Sequence, residues 1–217
     1  MTQQCKPCLG SPRLRASRHS ASAVPSPRAF LRKALLAAAV FAATSGVAFA
    51  AASGPSTSTR EYVIPAVQLV RADGKQVSLP EEMNDGRPVV LNFIFTTCGS
   101  ICPLMSSVFS QFEKRLGPEA GKVHMMSISI DPEQDTPARL AAYARRYRAG
   151  QEWQHYTGTL EASVIAQRAF DVYRGAKMSH SAVTLMRAAP GKPWLRIEGL
   201  AKPEDLLREY KGLLATR

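Results

Sequence analysis

VVLNFIFTTCGSICPLMS, residues 89–106, decides how this chain is read. Val89 to Phe95 form an apolar run of strand-forming residues, as a strand buried on both faces requires. Cys98 and Cys102 follow at once, four apart, with Pro103 after the second. That spacing is one residue longer than Cys-x-x-Cys. If the segment turns helically, the two cysteines share one side, with Cα atoms about 6 Å apart and within disulfide reach. A helix N-terminus at this point favours an anionic thiolate. Pro103 costs nothing in a first turn, where its missing N–H would be unpaired anyway. The pair can trade electrons, hold a metal ion or staple a loop. The staple is the weakest account, because closing so short a loop removes little entropy from the unfolded chain.

The rest of the sequence supplies the frame. Val63 to Leu79 carries Asp73-Gly74, a hairpin signal, between two short apolar-polar runs. From Cys102 to Leu116, the residues Leu104, Val108, Phe112 and Leu116 recur at helical spacing. VHMMSISI, residues 123–130, reads as a second buried strand. It runs into DPEQDTP, where Thr136 suits an N-cap and Pro137 a first helical turn. The following ARLAAYARRYR continues as a basic-faced helix, and residues 162–173 give a third helical pattern. SAVTLMR (181–187) and WLRIE (194–198) predict a hairpin across AAPGKP, and residues 204–215 an amphipathic helix. The order predicts an α/β domain, a mixed central sheet with helices on both faces and an N-terminal β-hairpin.

The formal net charge of +11 over 217 residues invites a nucleic-acid or membrane reading. Seven of the 28 Lys and Arg lie in residues 1–50, which hold no acid, and the other 21 face 17 acidic residues. The remainder is ordinary for a soluble domain, and no basic stripe interleaved with aromatics points to nucleic acid. Arg28, Arg32 and Lys33 precede an apolar run that ends Ala48-Phe49-Ala50. Residues 1–50 therefore read as an export signal cleaved after Ala50, with an uncleaved membrane anchor as the rival. Residues 51–60 read as a polar linker and 61–217 as the folded domain. Cys5 and Cys8 fall in the discarded lead-in, which leaves Cys98 and Cys102 as the cysteines of an exported domain.

Two thiolates make a redox pair or half of a metal site. The other half would be a soft or borderline donor from elsewhere, and residues 51–217 offer three histidines. His124 lies inside a strand and reads as a satisfied core residue. His155 sits in a Trp- and Tyr-rich loop, where packing is the plain reading. His180 immediately precedes a strand, so a strand end can present it. Met105 and Met178 are soft donors near these positions, with packing as their plain reading. Asp131 and Asp135 read as turn and capping residues. Arg145, Arg146 and Arg148 read as a solvated helix face.

TTCGSICP, then SISIDPEQDTPARLAAYARRY, then His180 opening a strand, resemble the Sco (SenC) family of thioredoxin-fold copper proteins over about residues 61–217. The resemblance implies that Cys98, Cys102 and His180 bind one copper ion. It implies a periplasmic copper chaperone for cytochrome c oxidase assembly rather than a turnover enzyme. The implied partners are the copper-site subunit of the oxidase and a periplasmic thiol reductant or another copper chaperone. Some members act as thiol-disulfide reductants, so the alternative is an oxidoreductase using Cys98 and Cys102 as its redox pair. The chain departs from the resemblance at Gly99, where many relatives have proline, and at Ser179, where many have aspartate. The first implies a looser loop, the second a missing carboxylate behind His180. Two thiolates and an imidazole suit Cu(I), and loading requires reduced cysteines and a neutral histidine.

Overall fold

The computed structural model describes residues 54–215. The expected export signal at 1–50, with Cys5 and Cys8, lies outside the described residues. Eight strands form one sheet: β1 (Ser56–Arg60), β2 (Gln68–Arg71), β3 (Gln76–Ser78), β4 (Val89–Ile94), β5 (His124–Ser129), β6 (Trp153–Gly158), β7 (Val183–Arg187) and β8 (Trp194–Glu198). Five α-helices accompany them: α1 (Leu79–Met83), α2 (Ile101–Leu116), α3 (Pro137–Arg146), α4 (Leu160–Ala169) and α5 (Pro203–Ala215). The strand order is β1-β8-β7-β4-β5-β6-β2-β3. The β4–β5 and β5–β6 pairs are parallel, and the others antiparallel, which makes the sheet mixed, as expected.

Every residue of β4 and β5 is buried, which fits central strands covered on both faces. On one face, Leu91, Phe93, Met126 and Ile128 pack with Ala162 and Ala166 of α4 and with Phe170. On the other, Val90 and Met125 meet Phe109, Phe112 and Leu116 of α2 and Leu206 and Tyr210 of α5. The Phe112 and Tyr210 rings meet edge-on, 5.6 Å between centroids.

Five elements differ from the sequence reading, among them α1, which no pattern announced, and α4, which spans Leu160–Ala169 rather than 162–173. Residues 56–60, expected within a linker, form edge strand β1, paired from Ser56 opposite Glu198 to Arg60 opposite Trp194. STSTR has no apolar alternation, and its residues are mostly exposed, so backbone pairing alone places it. Residues 153–158, expected as a loop, form β6, parallel to β5. WQHYTG lacks both an apolar run and a period of two, although its aromatic side chains favour strands. In α2 the buried positions include Met105, Phe109, Phe112 and Leu116, whereas Leu104 is 52% exposed.

The expected turns are present. In the β2–β3 hairpin Gly74 takes φ +89°, and Asp73 Oδ1 accepts the Lys75 amide at 3.0 Å. Thr136 caps α3 by accepting the Arg139 amide at 3.3 Å, with Pro137 in the first turn. Among the described residues no helix is long and apolar enough to cross a membrane.

Candidate functional site

The site forms where β4 gives way to α2. The Cys98 amide donates to the Phe95 carbonyl at 3.1 Å, which turns the chain just past the strand. Cys102 then lies in the first turn of α2, and its amide donates to Cys98 Sγ at 3.5 Å. Helix N-termini leave several amides unpaired, and Ser100 at the N-cap makes no side-chain cap bond. The Cys98 sulfur does that work instead. Both cysteines are free thiols. Cys98 is 8% exposed and Cys102 fully buried, so Cys98 is the more accessible sulfur.

Their acidities diverge. Burial works to raise the Cys98 pKa, but the backbone amides of Cys102 and Ser100, together with the Ser100 hydroxyl, stabilise the thiolate and hold it below the usual thiol value. At Cys102 burial dominates and pushes the thiol up to about 12. The neighbouring Cys98 sulfur and the negative field of Asp135 act in the same direction.

Asp135 is fully buried beneath this turn. Its carboxylate accepts the Thr96 amide at 3.1 and 3.2 Å, the Thr96 hydroxyl, and the Ser129 hydroxyl at 2.6 Å. It thus ties the end of β4 to the end of β5, directly before the cysteine loop. The capping role expected of Asp135 understated this; Thr96 and Ser129, its donors, carry no sequence signal beyond their place at strand ends. Asp131 is a turn residue, as expected, and its Oδ2 also accepts Lys177 Nζ at 2.6 Å.

His180 approaches from the next strand. β4 and β7 pair as far as Asn92 opposite Thr184. Beyond that pair, His180 Nε2 donates to the Phe93 carbonyl at 2.9 Å, filling a place the ladder has vacated. A carbonyl only accepts, so this contact assigns the proton to Nε2 and leaves the Nδ1 lone pair for a metal. Burial lowers the His180 pKa, the Phe93 carbonyl opposes this, and Arg174 adds to it. The imidazole is therefore neutral at pH 7, the form a ligand needs. His180 stands edge-on to Phe95, 6.5 Å between ring centroids.

The two cysteines are brought together; His180 is brought to the same end of the sheet. Among the described residues no three His, Cys, Asp or Glu side chains are gathered closely enough to hold a metal ion.

The remaining candidates are structural. His124 is engaged by the Glu82 carbonyl and the Tyr156 hydroxyl, both at 2.9 Å, as a satisfied core residue. His155, in β6 rather than a loop, packs 5.0 Å from the Trp153 ring and 6.1 Å from Tyr143. Met105 is buried in α2, and Met178 is 75% exposed. Arg145, Arg146 and Arg148 are exposed, as a solvated face should be.

A family model, SCO1/SenC, matches residues 55–215. The chain belongs to the SCO1/SenC family. Its similarity to the SCO1 protein homolog of Bacillus subtilis is 34% identity over 104 residues, which is 48% of this chain and 53% of that protein. The chain spans about half the length of that curated relative. Among solved structures it is similar to Bradyrhizobium japonicum ScoI with copper bound, at TM-score 0.59 and 24% identity, over 70% of this chain and 99% of that one. It is also similar to BsSco, described as a member of the Sco family of cytochrome c oxidase assembly proteins with a disulfide switch. That match has TM-score 0.62 and 24% identity, over 74% of this chain and 98% of that one. These likenesses give the fold: the domain is the thioredoxin-like fold of Sco proteins.

Proposed function

We propose that this SCO1/SenC domain is a copper carrier that holds one ion through Cys98, Cys102 and His180 and hands it to the copper-receiving subunit of a cytochrome oxidase. The observation that carries the reading is the site itself. One cysteine sulfur caps the helix that bears the other, and a neutral imidazole with a free Nδ1 stands at the adjoining strand end. Two thiolates and an imidazole match Cu(I) in softness and number. The copper bound to Bradyrhizobium ScoI and the assembly role named for BsSco support the same cargo and client. The domain works outside the cytoplasm, in the periplasm, reached through an N-terminal signal or held there by an N-terminal anchor. Copper is cargo here, and the protein is not a turnover enzyme.

The experiment is anaerobic chelator competition for Cu(I) on the reduced protein beside His180→Ala. Cys5→Ser and Cys8→Ser in both leave Cys98 and Cys102 as the thiols. One tightly held copper, weakened at least tenfold in the variant, is expected. Equal affinity in the two would overturn the ligand set.

A second reading is favoured by the split in cysteine acidity. A less deeply buried thiol held below its usual pKa beside a fully buried one near 12 is the arrangement of an attacking and a resolving cysteine. The Cys98 thiolate attacks a client disulfide and expels one client thiolate. Cys102 then attacks the Cys98 sulfur, releases the second client thiol and leaves the Cys98–Cys102 disulfide. The client gains the two electrons that this pair loses. A Cys102→Ser variant should accumulate the mixed disulfide on Cys98, and its failure to do so with any oxidised client sinks this reading.

A further inference from the structure

The loop that carries His180 is tied across to the end of the sheet by the Lys177–Asp131 ion pair, and a cavity lies beneath it. Residues 174–179 are exposed throughout. Arg174 folds back on the carbonyls of Tyr173 and Asp171, inside the same loop. Lys177 instead reaches the sheet: its Nζ lies 2.6 Å from Asp131 Oδ2 and 5.8 Å from the centre of the Phe95 ring. The two ends of this pair differ. The Asp131 side chain is 7% exposed, that of Lys177 42%. Asp131 is also fixed by its backbone, with its amide on Ser129 Oγ at 3.0 Å and its carbonyl accepting the Gln134 and Asp135 amides. The fixed post is therefore Asp131 and the movable arm Lys177.

A short 3-10 turn, Lys177–Ser179, connects the arm to the histidine. The Ser179 amide donates to the Ala176 carbonyl at 2.9 Å and the His180 amide to the Lys177 carbonyl at 3.1 Å. Lys177 and His180 therefore move together. Under the loop lies a cavity of about 190 Å³, lined by Ile130, Leu160, Val164, Val172, Tyr173 and His180. Arg174 to Lys177 form its outer wall, and the loop meets the sheet through the Lys177 stem over Phe95 and the His180 ring on the Phe93 carbonyl.

We propose that Lys177 and Asp131 form a latch that parks the His180 loop with its imidazole on the Phe93 carbonyl. Opening the latch sets how often His180 is free to close on the cysteine sulfurs. The proposal rests on the copper reading for the part His180 plays once released. Lys177 and Asp131 are positioning residues: they touch neither sulfur nor cargo but set the fraction of molecules competent to bind. Apparent affinity scales with that fraction. Loosening the latch therefore tightens metal binding, the opposite of what loss of a merely structural ion pair would do.

The test uses the full chain with Cys5→Ser and Cys8→Ser, reduced, with Lys177→Met and Asp131→Asn as separate variants. Met keeps the apolar stem over Phe95, and Asn keeps the backbone turn. Two quantities are read: Cu(I) affinity by chelator competition, and hydrogen exchange of the 174–181 amides in the metal-free protein. Each variant is expected to bind Cu(I) about fivefold more tightly and to exchange faster across the loop. In a His180→Ala background the gain in affinity should vanish, while the faster exchange persists. If copper binding in the parent depends on His180 but is unchanged or weakened in both variants, the latch proposal is overturned. If parent binding does not depend on His180, the ligand reading has failed separately. The exchange measurement then decides the latch alone, and unchanged protection in both variants overturns it.

Discussion

The amide of Cys102 points at the sulfur of Cys98 across 3.5 Å, so the first cysteine caps the helix that carries the second. One sulfur is thereby stabilised as an anion by the helix start, while the other is sealed beneath it as a neutral thiol. This asymmetry serves either chemistry open to the pair. In metal loading, Cys98 would offer a ready thiolate and Cys102 would release its proton to solvent as the ion bound. In thiol exchange, Cys98 attacks and Cys102 resolves.

A small alkylating reagent should therefore distinguish the two sulfurs. At pH 7 to 8, with the fold intact, iodoacetamide is expected to modify Cys98 at least tenfold faster than Cys102, because Cys98 holds more thiolate and is the less deeply buried sulfur. Peptide mapping by mass spectrometry reads the order. Equal rates, or Cys102 first, would contradict the assignment.

Asp135→Asn should loosen the cysteine loop. The carboxylate accepts from Thr96 twice and from Ser129 once, and an amide cannot serve all three donors equally. Hydrogen bonds to a charged group contribute about 1.5–3 kcal/mol, so a loss of about 2 kcal/mol in unfolding free energy is expected. Urea titration followed by far-UV circular dichroism measures it. The Cys102 thiol should also become more acidic, because the negative field that helps raise it is gone.

How much of this was legible in the sequence follows from what each element is made of. β4 and β5 were readable because strands buried on both faces must be apolar runs, and the hairpins because Asp73-Gly74 and Pro190-Gly191 mark their turns. β1 was not, because STSTR contributes backbone to β8 and almost no buried side chain. β6 was not, because its strand character resides in Trp153 and Tyr156 rather than in a period. Cys98 and Cys102 stood out by spacing, whereas the place of His180 before a strand left it one candidate among three histidines until the family resemblance implied it. The residues that pack beside them did not stand out. Asp135 looks like one more turn aspartate, and Lys177 like one more surface lysine, until the fold brings Thr96, Ser129 and Asp131 to them from distant positions.

His155 predicts an acid limb in stability. Both its ring nitrogens are buried without a partner, and burial lowers its pKa to about 4 from a model-peptide value of 6.5. The unfolded chain binds a proton that the folded chain refuses between those values. Stability from this residue is thus complete above pH 6.5 and is lost as pH falls toward 4, by on the order of 3 kcal/mol. His155→Leu removes the site of protonation and two unpaired nitrogens. The variant should unfold at the same or higher urea concentration at pH 7.5 and show a flatter loss between pH 6.5 and 4. An identical slope in both proteins would assign the acid sensitivity to other groups.

The phase of α2 gives the last test. Spacing alone puts Leu104 in line with Val108, Phe112 and Leu116, yet Leu104 is 52% exposed and its neighbour Met105 only 3%. The buried stripe runs Met105, Phe109, Phe112 and Leu116, so the spacing is one residue out over the first turns and in register after them. Leu104→Gln should therefore change stability by less than about 0.5 kcal/mol, as an exposed substitution does. Met105→Ala should cost about 2–3 kcal/mol through the cavity it leaves beside Phe109. Urea midpoints of the two variants read the difference directly. A large loss at Leu104 with little at Met105 would mean that the helix is rotated by one residue and that Cys102 no longer faces Cys98.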